Sequence, residues 1–141
     1  MGRIVVGVDG SEGSKRAVEW GAREARLHGA RLELVHVYEA PFVHEPLGGA
    51  EDVELIMGRA EEMAQRTLAS VAAQVEGVPV QTIPLLDSSP AHALVEHSRG
   101  ADMLVVSARG LGPFRRLVLG SVSTQLAHHA EVPLVIIRDK H

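Results

Sequence analysis

Five short runs of branched aliphatic residues, separated by stretches of helical periodicity, constrain this chain more than any other feature. The runs are Ile4 to Asp9, Leu32 to Tyr38, Val80 to Leu86, Met103 to Val106 and Leu134 to Arg138. They are apolar at most positions rather than at every second one, which is the pattern of strands buried on both faces. A chain that alternates such runs with helices from end to end folds as a parallel sheet sandwiched between helical layers.

The helical stretches carry their own punctuation. Ala17, Val18, Gly21, Ala22 and Ala25 recur at helical spacing, with Ser14 as the expected N-cap and Gly29 as the stop. A longer helix is expected from about Glu51 to Gln74, with an apolar stripe of Val53, Ile56, Met57, Ala60, Ala64, Leu68, Val71 and Ala72. Ser89 and Pro90 open a short third helix that turns Leu94, Val95 and Ser98 inward, and a fourth runs from near Gly120-Ser121 to about Ala130.

Two prolines locate the sheet's edges. Pro84 lies inside the third run and Pro133 opens the fifth, and a residue without an N–H is confined to edge strands or strand starts. The order expected is therefore 3-2-1-4-5, a Rossmann-like five-stranded parallel sheet with strands one and four adjacent and the winding direction reversing between them. Ligands of such sheets bind beyond the carboxyl ends of the strands at that reversal.

Composition excludes several function classes. The 141 residues suit a single domain over 1–141. No cysteine is present, so there is neither a disulfide framework nor a thiolate metal site. A net charge of -4 and 3% aromatic residues disfavour a nucleic-acid surface, which needs clustered cations and stacking rings. Met1-Gly2-Arg3 leads straight into the first run without a signal-peptide pattern, and no apolar stretch approaches the ~20 residues that span a bilayer. A cytoplasmic protein with no membrane and no nucleic-acid partner is the expectation.

The glycine-richest loops follow strands one and four. The first is Gly7-Val8-Asp9-Gly10-Ser11-Glu12-Gly13-Ser14; the second runs from Ser107 through Arg109, Gly110, Arg115 and Arg116 to Gly120-Ser121-Val122-Ser123 at a helix start. Glycines that let a ligand approach the backbone, and a helix N-terminus with unpaired N–H donors, suit a phosphate chain. On loop composition alone, turn-making glycines and solvated arginines remain an equal alternative. There is no G-x-G-x-x-G after strand one and no Gly-Lys-Ser/Thr ending, so a dinucleotide dehydrogenase and a P-loop ATPase are disfavoured.

Val6-Gly7-Val8-Asp9-Gly10-Ser11 before a helix resembles the opening of universal stress proteins, and Ser107-x2-Gly110-x9-Gly120-Ser121 is similar to that family's nucleotide signature. The closing Val132-Pro133-Leu134-Val135-Ile136-Ile137 resembles its last strand. The resemblance implies ATP, with or without Mg²⁺, or else AMP or cAMP, held by Gly7, Val8 and Asp9, by the backbone at Val37, and by Ser107, Arg109, Gly110, Gly120, Ser121, Val122 and Ser123. It implies no catalytic residue, at most a weak ATPase, and a homodimer formed by antiparallel pairing of Leu134 to Arg138. Ser107 departs from the signature, which has glycine there. A side chain at that position opposes nucleotide binding if φ is positive and is tolerated if the backbone is extended.

Other constellations are weaker. Asp9 is followed by Gly-Ser rather than a second acid, unlike a phospho-acceptor site holding Mg²⁺, and no aromatic stands in the first loop to flank a flavin. His92 with His97 and His128 with His129 lack the i,i+4 spacing of a helical metal pair, and His36 is expected to be a satisfied strand group. Three functions remain: a regulatory protein binding an adenine nucleotide with slow or no hydrolysis, a dimeric interaction module that binds none, and a cAMP binder.

Overall fold

A computed structural model describes residues 2–41, 50–108 and 119–138. Five strands and four helices alternate: β1 (Arg3–Gly7), α1 (Glu12–His28), β2 (Arg31–Tyr38), α2 (Ala50–Ala72), β3 (Val80–Leu86), α3 (Pro90–His97), β4 (Met103–Ser107), α4 (Ser121–His129) and β5 (Leu134–Ile137). All strand pairs are parallel and the order is β3-β2-β1-β4-β5, as the prolines and the run pattern predict.

The ladders explain why both prolines are tolerated. Leu32 donates to the Pro79 carbonyl and Asp87 donates to the Tyr38 carbonyl, so even-numbered residues of β2 and odd-numbered residues of β3 bond one another. Pro84, in register with His36, therefore turns its nitrogen to the open edge and removes nothing from the ladder. At the other side, Leu104 donates to the Pro133 carbonyl and Ala108 to that of Ile137. By the same alternation, Leu134 and Ile136 direct their main-chain groups outward, and all four β5 side chains are only half-buried.

Strand alternation sorts the core into two layers. Ile4, Val6, Leu32, Leu34 and Val105 pack under α1 and α2 with Ala17, Val18, Ala22, Ala25, Leu68 and Val71. Val5, Val35, Leu104 and Val106 pack under α3 and α4 with Ala91, Leu94 and Leu126. The α1 stripe is made of small residues because that helix lies close on the sheet. A Cβ on Gly21 would stand 2.7 Å from Val6 Cγ2, inside contact distance of a side chain too short to swing away.

Several local expectations shift. The N-cap of α1 is Ser11, not Ser14: Ser11 has an extended backbone and its Oγ accepts from the Ser14 amide at 3.1 Å. Ser14 sits one turn inside, buried, its own hydroxyl donating to the Ser11 carbonyl at 3.0 Å. Gly29 does end the helix, at φ 65°. Val53, expected in the α2 stripe, is half exposed, and the buried stripe is carried by Ala64, Leu68 and Val71 nearer the other end. In α3, Ser89 caps and Pro90 opens the first turn as expected, with Ser89 Oγ accepting from the His92 amide at 3.2 Å.

Two glycine substitutions should separate packing from helix propensity. Gly58 lies on the exposed side of α2 with nothing within 4 Å of a would-be Cβ, so Gly58→Ala should stabilise the fold by about 0.5–1 kcal/mol. Gly21→Ala gains the same propensity, but overpacking costs about 1–3 kcal/mol, leaving a net loss of about 1–2 kcal/mol. Urea denaturation of both variants checks the pair. A stabilised Gly21→Ala would contradict the close approach of α1 to β1.

Candidate functional site

The carboxyl ends of β1 and β4 lie side by side where the winding direction reverses; the β1–α1 turn follows the one, and the start of α4 is tied through Gly120 to Ala108 just after the other. The turn after β1 is held by Asp9. Its Oδ1 accepts from the Ser11 amide at 2.9 Å and from Ser11 Oγ at 2.5 Å, while Ser11 Oγ accepts from Ser14. Asp9 Oδ2 has no partner among the described residues, so a half-buried carboxylate oxygen remains to accept from a ligand hydroxyl or amine. Gly10 follows at φ 86°, a left-handed position that favours glycine, and Thr67 of α2 borders it, with Cγ2 3.9 Å from where a Cβ would lie.

The other expected residues of β1 contribute differently. Gly7 faces α3: a Cβ there would lie 3.2 Å from both Leu94 Cδ1 and Val106 Cγ1, so its missing side chain serves helix packing. Val8 buries its side chain under α1 and α2 and brings only main chain to the turn. Val37, on β2, packs its side chain toward the α3 and α4 layer. Tyr38 closes β2 beside it. Burial first, and the negative charge of Glu61 second, hold its phenol above the ordinary tyrosine range, so it is a neutral group at the rim.

On the other side of the gap, Ser107 ends β4 in register with Ile137. Its backbone is extended, so the serine carries none of the strain that a left-handed position would impose. Arg109 and Gly110, together with Arg115 and Arg116, lie outside the described residues. Gly120 is the N-cap of α4 and makes no side-chain cap bond. Its amide donates to the Ala108 carbonyl at 2.7 Å, and Ser123 Oγ donates to the same carbonyl at 2.7 Å, so both of these donors are engaged within the protein. The amides of Ser121, Val122 and Ser123 have no acceptor among the described residues. Three first-turn N–H groups and the positive end of the helix dipole are what an anion would meet.

Sequence reasoning missed the polar cluster at the opposite, amino-terminal end of the sheet. Glu33, 5% exposed, accepts from Arg3 Nη1 at 2.8 Å and from His97 Nε2 at 2.9 Å through Oε1, with Arg31 Nε 3.4 Å from Oε2. Arg3 also donates to the carbonyls of His97 and Arg99, tying β1 to the end of α3. Burial raises the Glu33 pKa, but the bonds from His97 and Arg3 and their charges outweigh it and leave the carboxyl below the usual glutamate range. The available signal was register: Arg3 lies directly beside Arg31, and the buried Glu33 two residues along β2 needs cations as partners. His92 likewise has a carboxylate partner, Asp87 Oδ2 at 3.0 Å, rather than a metal-like setting. Among the described residues no group of three His, Asp or Glu can hold a metal ion. No helix among them is long and apolar enough to cross a membrane.

Comparison with known proteins bears on the family and the fold. The profile of the universal stress protein family matches residues 1–138. A universal stress protein of Mycolicibacterium smegmatis is 40% identical over 139 residues, which are 95% of this chain and 47% of that protein. One of Thermus aquaticus, encoded in the 3' region of the QAH/OAS sulfhydrylase, is 36% identical over 139 residues and is covered to 97%. The chain thus spans about half the length of several relatives it matches, mycobacterial ones among them. A solved universal stress protein in complex with cAMP superposes with a TM-score of 0.66 at 27% identity, covering 97% of this chain and 96% of that one. The chain belongs to the universal stress protein family.

Proposed function

We propose that this protein binds an adenine nucleotide, ATP first, in the gap beyond β1 and β4, and that occupancy rather than turnover is its output. The observation that carries the reading is that Asp9 Oδ2 and the amides of Ser121 and Val122, which have no partner among the described residues, lie beyond the adjacent ends of β1 and β4. N–H donors for an anion on one side and a carboxylate on the other match the two poles of a nucleotide, phosphate and ribose. Arg109 and Gly110 join this reading through the family signature. Any Mg²⁺ accompanying ATP would be held chiefly by the phosphates. No residue of the described site stands as an evident general base, so hydrolysis is slow or absent. The reading assigns the protein to the cytoplasm, where adenine nucleotides are abundant.

cAMP is the second reading, favoured by the solved relative that holds it. The engagement of Gly120 and Ser123 with Ala108 also supports a ligand with fewer phosphates. For assembly, we propose a homodimer through β5: the outward main-chain groups of Leu134 and Ile136 would accept an antiparallel copy of the same strand.

Calorimetric titration with ATP, AMP and cAMP, on the wild type and on Gly120→Asp, tests the site. Gly120 has φ -66° and ψ 168°, angles any residue adopts, and it lacks a side-chain cap. Asp there should cap α4 and stabilise it by about 0.5–1 kcal/mol, while its charge repels phosphate and lowers affinity at least about tenfold. Stability up with affinity down is the expected signature. Absence of binding by any of the three nucleotides at millimolar concentration would leave a nucleotide-free interaction module.

A further inference from the structure

The β1–β2 ladder stops one hydrogen bond early, and a side chain stands where the next bond would be. Val8 directs its main chain toward β2, donating its N–H to the Val35 carbonyl at 2.8 Å. In a continuing parallel ladder the Val8 carbonyl would next accept from the amide of Val37. It accepts instead from His36 Nδ1, at 2.6 Å. A carbonyl can only accept, so this nitrogen carries the proton, as it does in the neutral Nδ1–H tautomer and in the imidazolium alike. The amide and carbonyl of Val37 have no partner among the described residues, and by alternation with His36, which faces β3, both point toward β1.

We infer that His36 is a positioning residue for the nucleotide: by occupying the Val8 carbonyl it keeps the main-chain donor and acceptor of Val37 open to the base. This role presupposes nucleotide binding at the switch point. A paired N–H and C=O one strand away from Asp9 offers the complement of an adenine edge, whose exocyclic amine donates and whose ring nitrogen accepts. The same imidazole pins the carbonyl that precedes Asp9, so one side chain orders both the base end and the ribose end of the gap. Replacing it with an apolar residue would let the Val8 carbonyl take the Val37 amide and close the ladder over the site.

Two variants and one exchange measurement test this. Asn presents a side-chain N–H near the place of Nδ1, whereas Leu fills the volume without a donor. His36→Leu should lose at least about tenfold in adenine-nucleotide affinity, and His36→Asn should stay within about threefold of wild type. Residue-resolved amide exchange, read without nucleotide, should find Val37 fast in the wild type and His36→Asn, and slowed in His36→Leu. Equal losses in both variants, or no loss in either, would overturn the role. So would a Val37 amide already protected in the wild type, a result independent of whether any variant folds. A wild type that binds no nucleotide but shows the exposed Val37 amide would sink the nucleotide reading and leave the ladder stop standing.

Discussion

Glu33→Gln is expected to cost about 3 kcal/mol of folding stability at neutral pH, an effect typical of breaking a buried ion pair from one side. Among the described residues the carboxylate is the only anion paired with the Arg3 guanidinium, whose side chain is 18% exposed, and it also receives His97 and neighbours Arg31. Glutamine keeps the shape and one acceptor but removes the charge, leaving Arg3 and Arg31 side by side without compensation. The pH dependence has a definite sign. The folded pKa of Glu33 lies below that of an unfolded glutamate, so its stabilisation is complete above the ordinary glutamate range and is lost as pH falls through the folded value. Urea denaturation across that range should therefore show the wild type and Glu33→Gln converging in acid, where the protonated glutamate is itself neutral. A neutral-pH difference below about 0.5 kcal/mol, the scale of a surface pair, would contradict the clamp.

Leu126→Ala should be comparably severe, at about 3 kcal/mol. Leu126 is 0% exposed and is the only large apolar side chain that α4 buries completely, Ser123 being its other buried residue. A helix of this length does not persist unsupported in water, so its place depends chiefly on Leu126 in the α3 layer, with Val122 packed at the margin. Undocking α4 would also scatter the amides of Ser121 and Val122. The variant should accordingly lose nucleotide affinity with its stability, and amide exchange should rise in α4 before it rises in β1. A cost under about 1 kcal/mol would mean that α4 is held by something other than Leu126.

Much of the fold was legible because it depends on local signals. Pro84 and Pro133 marked the edges, Ser89-Pro90 and Gly29 marked helix ends, and the doubly buried runs marked the strands. Ser11 and Ser14 show the limit of that kind of reading: either serine can cap, and the choice is made by Asp9, which holds Ser11 in the extended conformation a cap requires. The candidate site was legible as the adjoining ends of β1 and β4, with a turn after the one and a helix start after the other. What was hidden depends on register between strands distant in sequence. Nothing local says that the His36 ring meets the Val8 carbonyl, that Glu33 sits between Arg3 and His97, or that Ala108 consumes the Gly120 amide. These contacts arise only after β1, β2 and β4 align.

The most direct measurement is a two-dimensional NMR titration of the isotope-labelled wild type with ATP, read amide by amide. Binding at the switch point predicts the largest shifts at Asp9, Gly10, Val37, Ser121 and Val122, on both sides of one gap. Unchanged spectra at millimolar nucleotide, or shifts centred on Glu33 and Arg99 at the amino end of the sheet, would contradict it.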